Sequence, residues 1–209
     1  MADYLIPTDS GARYTVASAQ PNPLRALLYD MIQSPSITTS DLEQFIDGHL
    51  LDSRKAVAAA LYKLQRLDLI CSEESPIKLP QAAAIDSLEQ YLGQLSSEGR
   101  ALLADRNGFV MASHGFKNEV ARELAAAGTD MTPMGERISG ETEEDENAEQ
   151  EIWELSVNRK GDKITFMRLY IGPLPFLVVI GGQLDTKPNV FLQLMAILIH
   201  RYISMADKN

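Results

Sequence analysis

The chain has 209 residues, a formal net charge of −10 and a sequence pI of about 4.8. Its 45% apolar and 23% charged residues are ordinary for a globular protein and exclude a disordered or fibrous chain. The single cysteine excludes an internal disulfide. The excess of acid disfavours binding to nucleic acid, which depends on clustered Lys and Arg. This length accommodates two domains.

Neither end of the chain carries a membrane signal. The N-terminal residues lack a basic stretch followed by an apolar core, so no secretory signal is predicted. The longest apolar stretch, 189–205, is interrupted by Gln193, His200 and Arg201 and falls short of the roughly 20 residues that span a bilayer. We therefore expect a cytoplasmic protein without membrane insertion.

Helical spacing of apolar residues predicts three helices in the first half. The first covers 24–32 and ends before Pro35, and the second opens with a capping box at Ser40 and Glu43. The third follows Ser53. The predicted inward face of the third helix is Val57, Ala60, Leu61 and Leu64.

A short hairpin is predicted after the third helix, with strands 69–71 and 77–79 on either side of an acidic loop. Three helices and a hairpin resemble the winged-helix fold over residues 22–80. In DNA-binding members the third helix enters the major groove. The matching outward face, a candidate surface for DNA or a protein partner, is Lys55, Tyr62, Lys63 and Arg66. Because the loop tip is Glu73 and Glu74, which repel phosphate, a protein partner is favoured over DNA.

The second half alternates helices and strands. Helix 85–95 precedes two short strands, 100–104 and 109–113, which flank the turn residues Asp105 to Gly108. A helix over 116–127 is expected to end at Gly128. An acidic run follows, and then come strands 152–157, 164–171 and 176–180 and a final helix, 189–205.

Hydropathy patterns place the strands within the sheet. Residues 176–180 are apolar at every position, which indicates a central strand covered on both faces. Residues 152–157 alternate between apolar and polar, which indicates a peripheral strand. The final helix is apolar around nearly its whole circumference. It must therefore contact something besides the sheet: another helix, the N-terminal module or a second subunit.

The segment 102–113, LLADRNGFVMAS, with the element order around it, resembles the Roadblock family of dynein light-chain and longin-like proteins over residues 82–206. The resemblance implies an α/β domain of order αββαβββα, with a five-stranded antiparallel sheet of order 2-1-5-4-3 and helices on both faces. It also implies a homodimer formed by the third strand and the middle helix, and a small Ras-like GTPase as a partner. The corresponding interface candidates are Ile152, Trp153, Leu155, Val157, Val120 and Leu124.

Residues that could carry chemistry give weak signals. The chain contains no P-loop, G-x-S-x-G or H-E-x-x-H motif, and its three histidines lie on separate elements without metal-ligand spacing. Cys71, Phe109 and Trp153 are interpreted as core residues, and the acidic run Glu141–Glu151 as a solvated loop. We therefore expect no catalytic residue, metal or cofactor.

These observations predict a two-domain protein, with an extension at 1–21, a winged-helix-like domain at 22–80 and a Roadblock-like domain at 82–206 that carries an acidic insertion at 128–150. The expected function is that of a non-enzymatic homodimeric adaptor or regulator, acting on a small GTPase in bacterial signalling, motility or secretion. Two alternatives are a dimeric winged-helix transcription regulator and a structural subunit of a larger assembly.

Overall fold

The computed structural model describes residues 4–20, 22–34, 37–38, 54–80, 88–140, 154–159, 162–184 and 187–206. The first half contains strand β1 (Tyr4–Pro7), helices α1 (Asp9–Val16) and α2 (Pro23–Gln33), strand β2 (Ile37–Thr38), helix α3 (Arg54–Arg66) and strand β3 (Ile70–Glu73). The second predicted helix, 40–50, lies outside the described residues.

The second half contains the elements of a larger sheet. They are helix α4 (Leu88–Gln94), strands β4 (Arg100–Asp105) and β5 (Val110–His114), helix α5 (Asn118–Gly140), strands β6 (Glu154–Arg159), β7 (Asp162–Ile171) and β8 (Leu174–Gly181), and helix α6 (Val190–Ala206). Strand and helix types agree with the sequence prediction for every described element of this half.

The C-terminal sheet is five-stranded and antiparallel, with the spatial order β5-β4-β8-β7-β6. Counted within this half, that order is 2-1-5-4-3, which confirms the order implied by the Roadblock resemblance. Strand β8 is central, and its residues Phe176 to Ile180 are all buried. Among the strands that the structure describes, β6 is at an edge and pairs with β7. The two hydropathy patterns therefore predicted the strand positions correctly.

Helices cover both faces of this sheet. Helices α4 and α6 pack on the face that presents Leu103, Met167 and Val178, and α5 packs on the face that presents Leu102, Phe166 and Val179. The alternation of side chains along each strand divides the apolar residues between the two cores.

The N-terminal sheet differs from the predicted hairpin. Its order is β2-β1-β3: residues Tyr4 to Pro7 of β1 pair with β3, and Tyr4 and Leu5 also pair with β2. Residues 77–79 form no strand, so the predicted hairpin partner of β3 is wrong. Residues 1–21, for which the sequence predicts only an extension, supply the central strand and α1. A four-residue strand followed by a cap at Thr8 is too short for periodicity to detect.

The final helix α6 is enclosed by its own chain. Its inner side packs on the sheet, and α1, α2 and α4 also contact it. Ala12, Val16 and Ile32 belong to the same buried cluster as the α6 residues Leu194 and Leu198. The apolar circumference therefore reflects coverage by the sheet and the N-terminal helices. The motive for the structural-subunit alternative, an all-round apolar helix in need of another chain, is removed.

An aspartate from α1 caps α6. Asp9 Oδ2 accepts a hydrogen bond from Asn189 N at 2.9 Å, and Asp9 Oδ1 accepts one from Leu192 N at 3.0 Å. These amides lie at the N-terminal end of α6, where backbone N–H groups have no partner within the helix and a negative charge is favourable. The cap ties the N-terminal half to the C-terminal half.

We expect Asp9→Ala to lower the free energy of unfolding by about 1–2 kcal/mol, because two α6 amides lose their acceptor. Urea denaturation followed by circular dichroism measures this change. Ser10→Ala, at the neighbouring exposed position, is the matched control and should change stability by less than about 0.5 kcal/mol. Equal stabilities for the two variants would contradict the assignment of the cap.

Helix α5 continues beyond its predicted end. Gly128 lies within the helix and is buried against the sheet. A Cβ at Gly128 would overlap Leu177 Cδ2 and lie 2.8 Å from Phe166 Cδ1. The glycine therefore allows α5 to approach the sheet closely, and it does not terminate the helix. The first part of the predicted acidic insertion, 128–140, is helical.

Candidate functional site

A partly exposed apolar stripe runs along α5. Its residues follow a 4-3-4-3 spacing, which keeps one side of a helix facing a partner helix. They are Val120, Leu124, Ala127, Met131 and Met134. The buried face, Ala121, Ala125 and Thr132, is adjacent and packs on the sheet. The ends of the stripe, Val120 and Met134, are therefore not needed for the packing of α5 on its own sheet.

The stripe contains two large exposed apolar side chains. Val120 is 41% exposed and Met134 is 44% exposed. Leu124 and Met131 are half-buried at the margin of the core beneath α5. The predicted interface residue Val120 is thus accessible, and Leu124 is accessible in part.

Edge strand β6 offers a second accessible feature. Val157 pairs with Ile164, so its side chain lies on the α5 side of the sheet, and it is 41% exposed. On the opposite side, Ser156 Oγ lies 3.0 Å from Thr165 Oγ1. Unpaired backbone groups of an edge strand favour addition of another strand. The α5 stripe and Val157 share one side of the sheet, and we name them together the α5–β6 face.

Three other predicted interface residues are less well defined. Ile152 and Trp153 lie outside the described residues. Leu155 lies in β6, in register with Phe166. The structure therefore brings Val157, Val120 and Leu124 to one side of the sheet.

Helix α3 presents the predicted outward face. Val57, Ala60 and Leu64 are buried against the N-terminal core, and the opposite side carries the exposed side chains Lys55, Tyr62, Lys63 and Arg66. Tyr62 is 64% exposed. Sequence periodicity therefore predicted the buried positions Val57, Ala60 and Leu64 correctly, and Leu61, which was also predicted to face inward, is half-buried.

Phe109 is exposed, contrary to the sequence interpretation. Asp105 Oδ1 accepts hydrogen bonds from Asn107 N and Phe109 N, both at 2.9 Å, and Gly108 adopts a φ of +80°. This turn fixes the backbone and holds the Phe109 ring in solvent, 70% exposed. The prediction of a core position is wrong because turn geometry, which alternation does not reveal, sets the direction of the ring.

A cavity of about 430 Å³ lies between the α1–α2 connection and the β7–β8 turn. Arg25, in its wall, is buried, and its guanidinium donates to Tyr14 O at 3.2 Å and to Gln20 O at 2.6 Å. Burial lowers the pKa of the Arg25 guanidinium. On the other side of the cavity, Tyr29 Oη donates to Tyr170 O at 3.0 Å and accepts from Gly172 N at 2.9 Å. These bonds join α2 to the β7–β8 turn.

We expect Tyr29→Phe to cost about 2 kcal/mol of unfolding free energy, because two backbone groups lose their partner. Burial raises the pKa of the Tyr29 phenol. Its contribution to stability is therefore fully present below pH 10 and is lost as pH rises through the higher folded-state pKa. Urea titrations at pH 8 and pH 11 should show a smaller alkaline loss in Tyr29→Phe than in the wild type. An equal loss in both proteins would contradict this role.

The remaining polar candidates are dispersed. His114 Nδ1 lies 2.6 Å from Gly99 O, His200 lies on α6, and His49 falls outside the described residues. Cys71 is half-buried in β3, and burial raises the pKa of its thiol. Within the described residues, no group of His, Cys, Asp or Glu is arranged to hold a metal. No helix in the same part of the chain is long and apolar enough to cross a membrane.

Comparison with known proteins places this architecture beside two solved structures. No family model matches the chain, and no curated protein matches it. A Roadblock/LC7 domain from Streptomyces avermitilis is similar, with a TM-score of 0.38, 16% identity and coverage of 60% of this chain and 97% of that chain. MglB in a tetrameric arrangement is similar, with a TM-score of 0.39, 20% identity and coverage of 62% of this chain and 94% of that chain. The assignment of the fold rests on the strand order and helix placement of this chain itself.

Proposed function

We propose that the chain is a non-enzymatic homodimeric adaptor or regulator that acts through protein–protein contacts. The observation that carries this proposal is the α5–β6 face. On one side of the same sheet, Val120 and Met134 of the α5 stripe and Val157 of edge strand β6 remain exposed in the monomer. Contact between two copies would bury the stripe and pair the edge strands.

The partner class follows from the Roadblock resemblance. That resemblance implies a small Ras-like GTPase as the protein on which the dimer acts. The absence of a P-loop motif from the sequence agrees with a regulator that holds no nucleotide of its own. We propose bacterial signalling, motility or secretion as the setting.

Light scattering of the purified chain tests the homodimer, and we expect about twice the monomer mass of 23.1 kDa. We expect Val157→Glu to shift the protein toward monomer, because the new carboxylates would be desolvated at the interface. Lys163→Glu, on the paired strand β7, is a control for a charge change beside the edge. A wild-type protein that is monomeric at about 100 μM would contradict the dimer, because its free energy of association would then be less than about 6 kcal/mol.

Nucleotide-dependent capture tests the partner class. The immobilised protein would be exposed to a lysate of the source cells loaded either with GDP or with a non-hydrolysable GTP analogue. We expect retention of a small GTPase in one nucleotide state only, because its switch segments differ between the two states. Failure to retain any GTPase, or equal retention in both states, would count against a GTPase regulator and leave the dimer to be judged by light scattering.

A further inference from the structure

The cavity between the α1–α2 connection and the β7–β8 turn lies outside the α5–β6 face. Its volume of about 430 Å³ is within the range of about 300–1,000 Å³ that is typical of small-molecule sites. Ala19, Pro23 and Pro173 in its wall are exposed, so the cavity is open to solvent. It lies where the two halves of the chain meet, and junctions of this kind are common places for a ligand to bind.

Much of the cavity wall is apolar. It includes Ala19, Pro23, Ala26 and Pro173, together with the aromatic residue Tyr29. The Tyr29 hydroxyl is already bonded to Tyr170 O and Gly172 N, so Tyr29 offers a ligand its ring. A wall of this composition favours a ligand with an apolar body.

Two polar side chains of the wall are bonded within the α1–α2 connection. Ser18 Oγ accepts a hydrogen bond from Gln20 N at 3.0 Å, and Asn22 Oδ1 accepts one from Leu24 N at 2.8 Å as the cap of α2. These bonds fix the backbone that forms this side of the cavity. The site is therefore largely formed before a ligand enters.

Arg25 is the only charged residue among the described residues that line the cavity. It is buried, and its Nε and Nη1 donate to the neutral oxygens Tyr14 O and Gln20 O. The Arg25 guanidinium also lies 5.3 Å from the centre of the Tyr14 ring. Because the surroundings exclude water, an anion in the cavity would be attracted to Arg25 more strongly than in bulk solvent. No acidic residue of the described lining would repel it.

We propose that this cavity binds a small carboxylate with an apolar body. The carboxylate lies beside the Arg25 guanidinium as a charge-assisted pair, and the apolar body lies against Pro23, Ala26 and Tyr29. A single cation matches the one charge of a carboxylate better than the nearly two charges of a phosphate monoester. The bound ligand contacts both halves of the chain, so it stabilises the folded protein.

Naphthaleneacetate is the probe, titrated into the full-length protein in a calorimeter. We expect one molecule to bind with a dissociation constant of about 100 μM or tighter, and its neutral amide to bind at least about tenfold more weakly. At 1 mM, the acid should raise the midpoint of thermal unfolding by about 3–6 °C.

Ala26→Phe tests the location of the site. Ala26 is exposed and lines the cavity, so the new ring fills space that the ligand needs, and we expect binding to weaken by at least about tenfold. Gln33→Phe adds the same side chain at an exposed position of α2 outside the lining and should stay within about twofold of the wild type. Arg25→Gln should abolish the preference for the acid over the amide. Should that variant fail to fold, the comparison of acid and amide on the wild type decides the role of charge.

Four results would overturn the proposal. They are no binding of the acid at 1 mM, equal affinities of the wild type for acid and amide, unchanged binding in Ala26→Phe, and tighter binding of naphthyl phosphate than of naphthaleneacetate. A Val157→Glu variant that is monomeric should still bind the acid, so this test is separate from that of the proposed dimer.

Discussion

Val120→Glu combined with Met134→Glu is expected to convert the homodimer to monomer and to raise its dissociation constant by at least about 100-fold. Both side chains are exposed members of the α5 stripe. If two copies bury this stripe, the double variant places four carboxylates in an apolar contact without basic partners. Sedimentation velocity across a concentration series measures the dissociation constant.

The control for this prediction is Ala126→Glu. Ala126 is exposed on α5 but lies outside the 4-3-4-3 spacing, so its carboxylate stays in water. The control should remain dimeric. Thermal unfolding should show that every variant is folded. A dimer as tight in the double variant as in the wild type would place the interface elsewhere.

Gly11→Ala is expected to destabilise the protein by about 2 kcal/mol or more, despite a gain of about 1 kcal/mol in helix propensity. A Cβ at Gly11 would overlap the carbonyl oxygen of Leu69. The same oxygen accepts a hydrogen bond from Thr8 N at 3.0 Å, and Thr8 Oγ1 donates to Asp68 O at 2.8 Å. Because the new Cβ would overlap a backbone atom, rotation of a side chain cannot relieve the overlap.

Gly172→Ala provides a comparison for this loss. Gly172 has a φ of +57°, and no atom lies within 4 Å of the position that an alanine methyl would occupy, so its substitution meets strain but no overlap. We expect that variant to lose about 1 kcal/mol, less than Gly11→Ala. Chemical denaturation gives both values. A Gly11→Ala protein as stable as the wild type would show that α1 does not approach the backbone of Leu69 as closely as described.

Local patterns predicted most of the C-terminal half. The uniform hydropathy of 176–180 indicated a central strand, because a strand buried on both faces is apolar at every position. The alternation of 152–157 indicated a peripheral strand, because a strand buried on one face is apolar at every second position. The predicted helix reached only Ala127, short of the full apolar stripe. Gly128 indicates a helix end when packing is unknown, but the structure uses it for a close approach of α5 to Leu177 and Phe166.

Long-range contacts were beyond the reach of such patterns. Strand β1 has four residues, and its identity depends on pairing with β3, more than sixty residues away. The direction of Phe109 depends on a turn held by the Asp105 side chain. The cap that Asp9 provides for α6 joins residues about 180 positions apart.

Local residue patterns suffice to predict the types of the described elements in the C-terminal half, the central and edge positions of its strands and the buried positions of α3. These features follow from the period of burial within a single element. Contacts between distant segments are needed to see that α1 and α2 enclose α6, that β1 completes the N-terminal sheet and that Val120 and Met134 of the α5 stripe stay exposed. Those features depend on which surfaces contact each other. The hydropathy pattern of an element indicates that a face is buried, and it does not indicate which other element covers that face.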